Sequence, residues 1–374
     1  MHGVMLRYQD PRTETYLGSP SLVRLGDGAL VATHDYFGPG CPLNHEGEEH
    51  LSSVYRSTDD GGTWSSVSHI AGAFWSNLFV HRGALYLLGT SQQNGSIVIR
   101  RSDDGGFTWT RPLDAERGLL FLGGSRRQSP NYHCAPMPVL CANGRLYRAF
   151  EDCTPCVWGS GFQALVISAP VDADLLHAAS WTMSERLPFD PAWVPEAWGA
   201  LENPGWLEGN MVLGPDGILY DVLRFNSLPL VDKAAMVRVS PDGKRLSFDP
   251  AQGFIDLPGG MTKFSIRHDA RTGRYFTLSN NNTDPAWPHQ RNTLSLYTSR
   301  DLTKWDHVTT LLDPDPALPY EEAMRTVGYQ YVDWQFDGED IIYLVRVADA
   351  RAHNYHDANQ IVFLRLRGFR DRLD

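Results

Sequence analysis

Cysteine is scarce in this chain of 374 residues, and the five present are an odd number. That is not the composition of an extracellular disulfide framework. Cys41, Cys134 and Cys141 are scattered. Cys153-Thr-Pro-Cys156 could bind zinc or close as a local disulfide, but no second Cys-x-x-Cys or spaced His pair completes a metal site. Nothing in the sequence requires a cofactor, no metal-ligand set is assigned, and a structural calcium or zinc stays open. Long apolar runs are also missing: no segment reaches the ~18 residues of a membrane span, and the opening MHGVMLRYQDP lacks the apolar core of a secretory signal. The expectation is a cytoplasmic protein, or a secreted one if the chain is a mature form. A surplus of basic residues is absent too. With 44 Asp and Glu against 33 Lys and Arg, the formal charge is -11, which excludes nucleic acid and anionic membranes as natural partners. There is no Gly-x-Ser-x-Gly elbow, phosphate loop, dinucleotide fingerprint or His-Glu-x-x-His helix.

What the chain does have is a repeat. Ser57-Thr-Asp-Asp-Gly-Gly-Thr-Trp64 recurs 45 residues later as Ser102-Asp-Asp-Gly-Gly-Phe-Thr-Trp109, and a strand-like run precedes each copy. That interval is the length of one propeller blade. A short acidic turn bonding to its own backbone and closed by a Trp is a structural hairpin rather than a ligand loop. Eleven Trp and 34 Gly suit many short strands joined by tight turns. The expected fold is all-β, a single β-propeller domain over residues 1–374.

Blade by blade, the first strand ends in a tight turn: LGDG at 25–28, HRG at 81–83, ANGR at 142–145, GPDG at 214–217, DARTG at 269–273 and FDGED at 336–340. Six turns predict six blades, with worn acidic turns at Ser240-Pro-Asp-Gly and Ser299–Trp305, and with a strand near residues 4–8 closing the ring. Strand direction alternates, so the tight turns fall on one face and the long loops at 33–50, 91–95, 151–161, 224–233, 280–292 and 348–359 share the other. Long polar loops on a rigid scaffold are where binding and catalysis concentrate.

That mouth is expected to hold His34, His50, His133, His353 and His356, with Arg224 and Arg346 at the ends of second strands and Lys263 and Arg267 near the start of the fifth blade. Arg148 ends a second strand in the same way. A ring of cations in an acidic protein selects a carboxylate. For any one Arg, pairing with an inter-blade carboxylate such as Glu151, Glu208 or Asp333 is the structural alternative. Tyr36, Tyr132, Tyr329 and Tyr355 start or leave the mouth, and Trp75, Trp158, Trp206 and Trp287 lie beside it. Aromatic platforms next to charge favour a glycan ligand.

The two acidic repeats are Asp-boxes of the sialidase-like kind. Across its length the chain resembles the rhamnose-glucuronate lyases and ulvan lyases of the sialidase superfamily and a related α-L-rhamnosidase family. The segments that carry this are His34-Asp-Tyr-Phe-Gly38 after Ser19-Pro-Ser-Leu-Val, Phe74-Trp75, Asn131-Tyr-His-Cys-Ala-Pro136, Trp206-Leu-Glu-Gly-Asn210, Lys263-Phe-Ser-Ile-Arg267, Gly328-Tyr-Gln-Tyr-Val-Asp-Trp334 and His353-Asn-Tyr-His-Asp357. The resemblance implies seven blades, with stretches 110–130 and 186–206 as candidates for the extra one.

It also implies cleavage of an L-rhamnose-α-1,4-D-glucuronate linkage, or a similar one, in an acidic oligo- or polysaccharide by β-elimination. His34 is then the acid/base, His50 or His133 its partner, Arg224 or Arg346 the carboxylate clamp and Tyr329 a supporting donor. Substrate contacts are expected from Tyr36, Trp75, Arg127, Tyr132, Glu208, Asn210, Lys263, Arg267, Gln330, His353 and His356. The alternatives are a hydrolase of the same fold, with Glu208 and Asp35 as a carboxylate pair or of sialidase type, and a glycan-binding propeller without catalysis. True sialidases bring a Tyr/Glu nucleophile pair and an Arg within Phe/Tyr-Arg-Ile-Pro, a tetrapeptide absent from this chain.

Overall fold

The computed structural model describes residues 3–349 and 351–373; the first two residues of the opening segment and Ala350 of the 348–359 loop lie outside them. Six antiparallel sheets follow one another along the chain. Blade I runs from a broken inner strand, Tyr16–Leu17 and Ser21–Arg24, through Leu30–Phe37 and Leu51–Ser57 to Ser65–Ala71. Blade II comprises Phe74–His81, Ala84–Thr90, Ile97–Ser102 and Leu119–Phe121. In blade III, Tyr132–His133 and Leu140–Ala142 form the inner strand beside Arg145–Cys153 and Phe162–Pro170, with Thr182–Met183 and Leu187–Pro188 outermost. Blade IV has Gly205–Leu213, Leu219–Asn226, Lys233–Val239 and an outer pair, Leu246–Ser247 and Phe254–Asp256. Blade V has Ser265–Asp269, Arg274–Ser279, Leu294–Ser299 and Asp306–Leu312. Blade VI takes Gly328–Asp337, Asp340–Ala348 and Gln360–Leu366 from the end of the chain and its outer strand, Val4–Tyr8, from the start, with Val4 opposite Phe363 and Tyr8 opposite Gln360.

All six tight turns expected between first and second strands occupy that place. The expectation of seven blades is corrected to six among the described residues. The stretch 110–130 supplies the short outer strand of blade II, and 186–206 supplies the edge strand Leu187–Pro188, two 3-10 turns and the approach to blade IV. Neither has the apolar length to build a further sheet.

Burial shows why the ring holds. Six apolar clusters fill six blade-to-blade interfaces; the one between blades V and VI contains Phe276, Leu296, Trp334 and Phe369, and the one between VI and I contains Leu17, Leu30, Ala32, Ile361 and Phe363. Each blade is covered on both faces, so a second strand such as Leu219–Asn226 is buried at every position, its Asp221 and Arg224 included. The Asp-boxes secure the outer hairpins. Asp59 accepts from the Thr63 amide (2.8 Å), the Thr63 hydroxyl (2.7 Å) and the Ser57 hydroxyl (2.8 Å), and these bonds hold its carboxyl down at about 2. Trp64 donates to the Gly61 carbonyl and packs on Phe363, ring centroids 5.5 Å apart. Trp109 and Trp305 make the same bond to Gly106 and Leu302, so the worn fifth-blade box keeps its geometry.

Phe363 therefore joins the first Asp-box to the strand that closes the ring. Phe363→Ala is expected to cost about 3–5 kcal/mol, read as a lower urea midpoint with an unchanged slope; a loss under about 1 kcal/mol would contradict this role.

Candidate active site

The inner strands of blades II, IV and VI carry the same irregularity. Each ladder skips between Phe74 and Asn77, Leu207 and Asn210, and Gln330 and Asp333. At each skip one non-glycine residue adopts positive φ: Trp75 at 46°, Glu208 at 56° and Tyr331 at 51°. The left-handed region costs an L-residue roughly 1–2 kcal/mol. The polar residue two positions on offsets part of this by tying its blade to the next. Asn77 accepts from Arg148 Nε (2.8 Å), Asn210 accepts from the Ile266 amide (2.9 Å), and Asp333 accepts from the Ser21 hydroxyl (2.9 Å) and the Leu22 amide (2.8 Å). A bulge re-aims a side chain, and here it brings residues from separate blades together.

Glu208 of blade IV and Tyr331 of blade VI meet: the Tyr331 hydroxyl donates to Glu208 Oε1 at 2.6 Å. Glu208 Oε2 accepts from Arg224 at 3.0 Å. Burial pushes the Glu208 carboxyl up, but Arg224, His133 and the Tyr331 hydroxyl together outweigh it and hold the group below its ordinary value. Glu208 is thus an ionised base inside the protein. Burial and the Glu208 charge push the Tyr331 phenol up to about 12. Arg224 also donates to the Met261 carbonyl and lies 4.7 Å over the Trp158 ring.

Two more guanidinium groups surround this pair. Arg346 is 4% exposed, lies between the Phe37 and Tyr331 rings at 4.7 and 4.9 Å, donates to the His356 carbonyl, and has no partner for Nε among the described residues. Arg291 is 7% exposed and bonds the neighbouring Gln290 carbonyl at 3.3 Å. Burial lowers both to about 10, so both remain cationic at neutral pH. Neither has a carboxylate partner in an ion pair among the described residues. Buried cations without a counter-ion are costly, and an anionic ligand removes that cost.

His133 completes the constellation. Its Nδ1 lies 2.7 Å from Glu151 Oε2, Glu151 Oε1 accepts from the Gly209 amide, and the imidazole sits edge-on to Trp75 and Phe162 at 4.3 and 4.9 Å. Nε2 has no hydrogen-bond partner among the described residues. A carboxylate on one ring nitrogen fixes the tautomer and leaves the other for proton transfer.

Of the residues expected from sequence, His133, Trp75, Glu208, Arg224 and Arg346 come together. His34 does not. It is fully buried with Leu30, Ala32 and Tyr36, its Nδ1 bonds the Asp35 carbonyl, its Nε2 bonds the Tyr55 hydroxyl, and burial drops its pKa to about 4. Tyr36 bonds Ser53, and Tyr132 packs in the core between blades II and III. Tyr329, two residues from Tyr331, belongs to the core between blades V and VI and bonds the Asp313 carbonyl. His50 accepts from the Gly72 amide, Asn210 is the inter-blade tie above, and Arg148 spends its donors on Asn77 and two backbone carbonyls.

Arg127 is held by both oxygens of Glu48, and Gln330 donates to the Tyr355 carbonyl. His353 bonds the Tyr16 hydroxyl, and His356 contacts Asp357 while Phe37 packs against its ring. Lys263 donates to the Val332 carbonyl and is lowered to about 8 by burial. Arg267, bonded to Asp333, lines a cleft of about 640 Å³ with Gly214 and Gly273, at the tight-turn end of the channel. Another cleft, about 550 Å³, lies outside between blades IV and V. Neither contains Glu208, Tyr331 or the unpaired cations. Tyr331 and Arg291 were not among the expected residues. Aligning Phe-Trp-Ser-Asn77, Leu-Glu-Gly-Asn210 and Gln-Tyr-Val-Asp333 on their final polar residue finds Tyr331; Arg291 has no such signal.

With this geometry in place, the solved structures supply the fold. The chain aligns over 98% of its length with a Penicillium chrysogenum α-L-arabinanase complexed with arabinobiose, covering 98% of that chain at 15% identity and a TM-score of 0.58. It aligns with a Hadza microbial sialidase at 16% identity and TM-score 0.58, covering 98% of this chain and 68% of that one. A Fusarium graminearum α-L-arabinofuranosidase matches at 14% identity and TM-score 0.56, covering 98% and 99%. What these structures share with the chain is the fold, a β-propeller that has six blades among the described residues. No protein-family model and no curated protein sequence matches the chain. Among the described residues no helix is long and apolar enough to cross a membrane.

Asp35, paired with Glu208 in the carboxylate-pair alternative, holds the blade II bulge: it accepts from the Trp75 amide at 2.7 Å and from the Ser52 hydroxyl. Burial pushes its carboxyl up to about 8. An unfolded Asp titrates near 3.9, so between these values the folded state keeps a proton that the unfolded state releases. The contribution of Asp35 to stability is then fully present below about pH 4 and is lost as pH rises toward 8. Asp35→Asn keeps the acceptor for Trp75 and removes the titration. The loss of unfolding free energy between about pH 5 and pH 8 is expected to be smaller in the variant than in the parent; equal losses would contradict the assignment.

Proposed function

We propose that the chain is a retaining glycoside hydrolase acting on a sugar that carries a carboxylate, with Tyr331 as nucleophile and Glu208 as its base. The observation that carries this is the 2.6 Å hydrogen bond between the Tyr331 hydroxyl and Glu208 Oε1, beside two buried guanidinium groups without counter-ions among the described residues. A phenol with a pKa of about 12 is a weak nucleophile on its own, and the adjacent ionised carboxylate takes its proton as the bond to the anomeric carbon forms. Sialidases use a Tyr nucleophile where most retaining glycosidases use a carboxylate.

Charge explains that choice. Two carboxylates about 4 Å apart at an effective dielectric of 20 repel by about 4 kcal/mol. A neutral phenol avoids that repulsion at the moment of attack. Arg346 and Arg291 hold the sugar carboxylate, and Glu208 stabilises the positive charge that develops on the ring. His133, braced by Glu151, protonates the leaving oxygen and then draws a proton from the water that releases the sugar from Tyr331.

A second reading is favoured by the His133–Glu151 pair: β-elimination from a uronate, the L-rhamnose-α-1,4-D-glucuronate linkage being its specific form. His133 would remove the proton beside the carboxylate and Tyr331 would give one to the departing 4-oxygen. The two reactions leave different products. Glycans ending in sialate, uronate or rhamnosyl-uronate are expected to yield a saturated sugar and no ultraviolet absorbance. An absorbing unsaturated uronate would replace hydrolysis by elimination, and no product from any of them would point to a glycan-binding propeller. Tyr331→Phe is expected to lower kcat by about 10³-fold or more, and a fluorinated activated sugar to label Tyr331 in the parent. Full activity in Tyr331→Phe would remove the nucleophile assignment.

A further inference from the structure

The loop between the middle strands of blade III carries the disulfide Cys153–Cys156. Cys153 is fully buried against Phe162 and Leu207, whereas Cys156, Val157 and Trp158 are exposed. Beyond Cys153 the loop is held at Gly159, which packs closely on Asn203 and Gly205. Its backbone bonds are short-range, from Val157 to Pro155, Ser160 to Trp158 and Gly161 to Val157. Trp158 is 45% exposed, yet its ring covers the Arg224 guanidinium at 4.7 Å and is edge-on to Phe162 at 6.3 Å. The disulfide thus adds a covalent cross-link between the loop tip and the buried Cys153, beside the Glu208–Arg224 pair.

A second observation concerns the other redox state. Asn94 Oδ1 lies 3.1 Å from Cys153 Sγ and the Cys153 carbonyl 2.8 Å from Cys156 Sγ. A disulfide has no proton to give to either oxygen. Two thiols would have one each, and these two oxygens are the acceptors that lie beside the sulfurs.

We propose that Trp158 is a sugar-stacking platform on the leaving-group side of the mouth, and that the Cys153–Cys156 disulfide sets its position, making affinity for longer glycans sensitive to thiol reductants. The reductant is a dithiol. Its thiolate attacks the exposed Cys156 Sγ, the S–S bond breaks, and Cys153 leaves with the electron pair and takes up a proton. The second thiol of the reductant then displaces Cys156, which also takes a proton, and the reductant becomes a cyclic disulfide. Two electrons and two protons pass to the protein. The platform half rests on the hydrolase reading above; the staple half does not.

The test uses the full chain, oxidised and after dithiothreitol, together with Cys156→Ser and Trp158→Ala. Hydrogen exchange over residues 154–161 is expected to quicken in the reduced protein and in Cys156→Ser. Equal exchange in the oxidised and reduced forms overturns the staple, whatever the substrate. With a turned-over oligosaccharide, KM is expected to rise about fivefold on reduction and in Trp158→Ala, with a smaller change for an aryl glycoside that lacks the leaving-group sugar. Reduction should add nothing in Trp158→Ala. A KM that ignores both reduction and Trp158→Ala while turnover proceeds overturns the platform. If no glycoside is turned over, the fault lies with the hydrolase reading, and exchange alone decides the staple.

Discussion

The site depends on a backbone constraint: three inner strands each force one ordinary residue into the left-handed region. Without the bulge, Glu208 and Tyr331 would continue the regular alternation of their strands into the inter-blade cores. With it, a carboxylate from blade IV and a phenol from blade VI lie 2.6 Å apart. The strain persists because the next polar residue in each strand is committed to the neighbouring blade. Asp333 shows the economy of this arrangement. It anchors the Tyr331 bulge, joins blade VI to Ser21 and Leu22 of blade I, and receives Arg267. Ring closure and site geometry therefore share the same hydrogen bonds.

Electrostatics follows from the same packing. The chain is acidic overall, at -11, and away from the mouth basic side chains are paired with carboxylates, as in Arg24–Asp337 and Arg370–Asp269. The mouth reverses the sign. Of the buried Arg residues there, Arg224 has a carboxylate partner, whereas Arg291 and Arg346 make do with carbonyls and aromatic faces. Desolvation lowers both without neutralising them. The local excess of positive charge is what an anionic sugar would meet, whichever bond is then broken.

Much of the architecture was legible in the sequence because turns and Asp-boxes are local. Gly28, Gly83, Gly144, Gly217, Gly273 and Gly338 all adopt positive φ, and a tight turn announces itself in a few residues. The N-terminal strand could be assigned because the last blade lacked a fourth. Seven blades, by contrast, came from resemblance and had no strand pattern behind it. The site was harder, since a blade is covered on both faces and no hydrophobic alternation marks a side facing the channel. His34 illustrates this. It shares the parity of Leu30, Ala32 and Tyr36, all in the core between blades VI and I, so its position in the strand spoke for packing. Tyr329 and Tyr331 have equal parity in sequence, and only the bulge between Gln330 and Asp333 separates a core residue from one bonded to Glu208.

Functional change on such a scaffold needs few substitutions. The bulge residue of blades II, IV and VI is Trp, Glu and Tyr here, and the same backbone irregularity carries all three side chains. Replacing one leaves the polar ties at Asn77, Asn210 and Asp333 in place, so chemistry can vary while the ring stays closed. The solved propellers of this shape, an arabinanase and a sialidase among them, differ from this chain at more than four positions in five. That degree of difference is tolerable because the fold is fixed by interfaces between blades, whereas the reaction is fixed by a handful of side chains at the ends of the inner strands and in the loops above them.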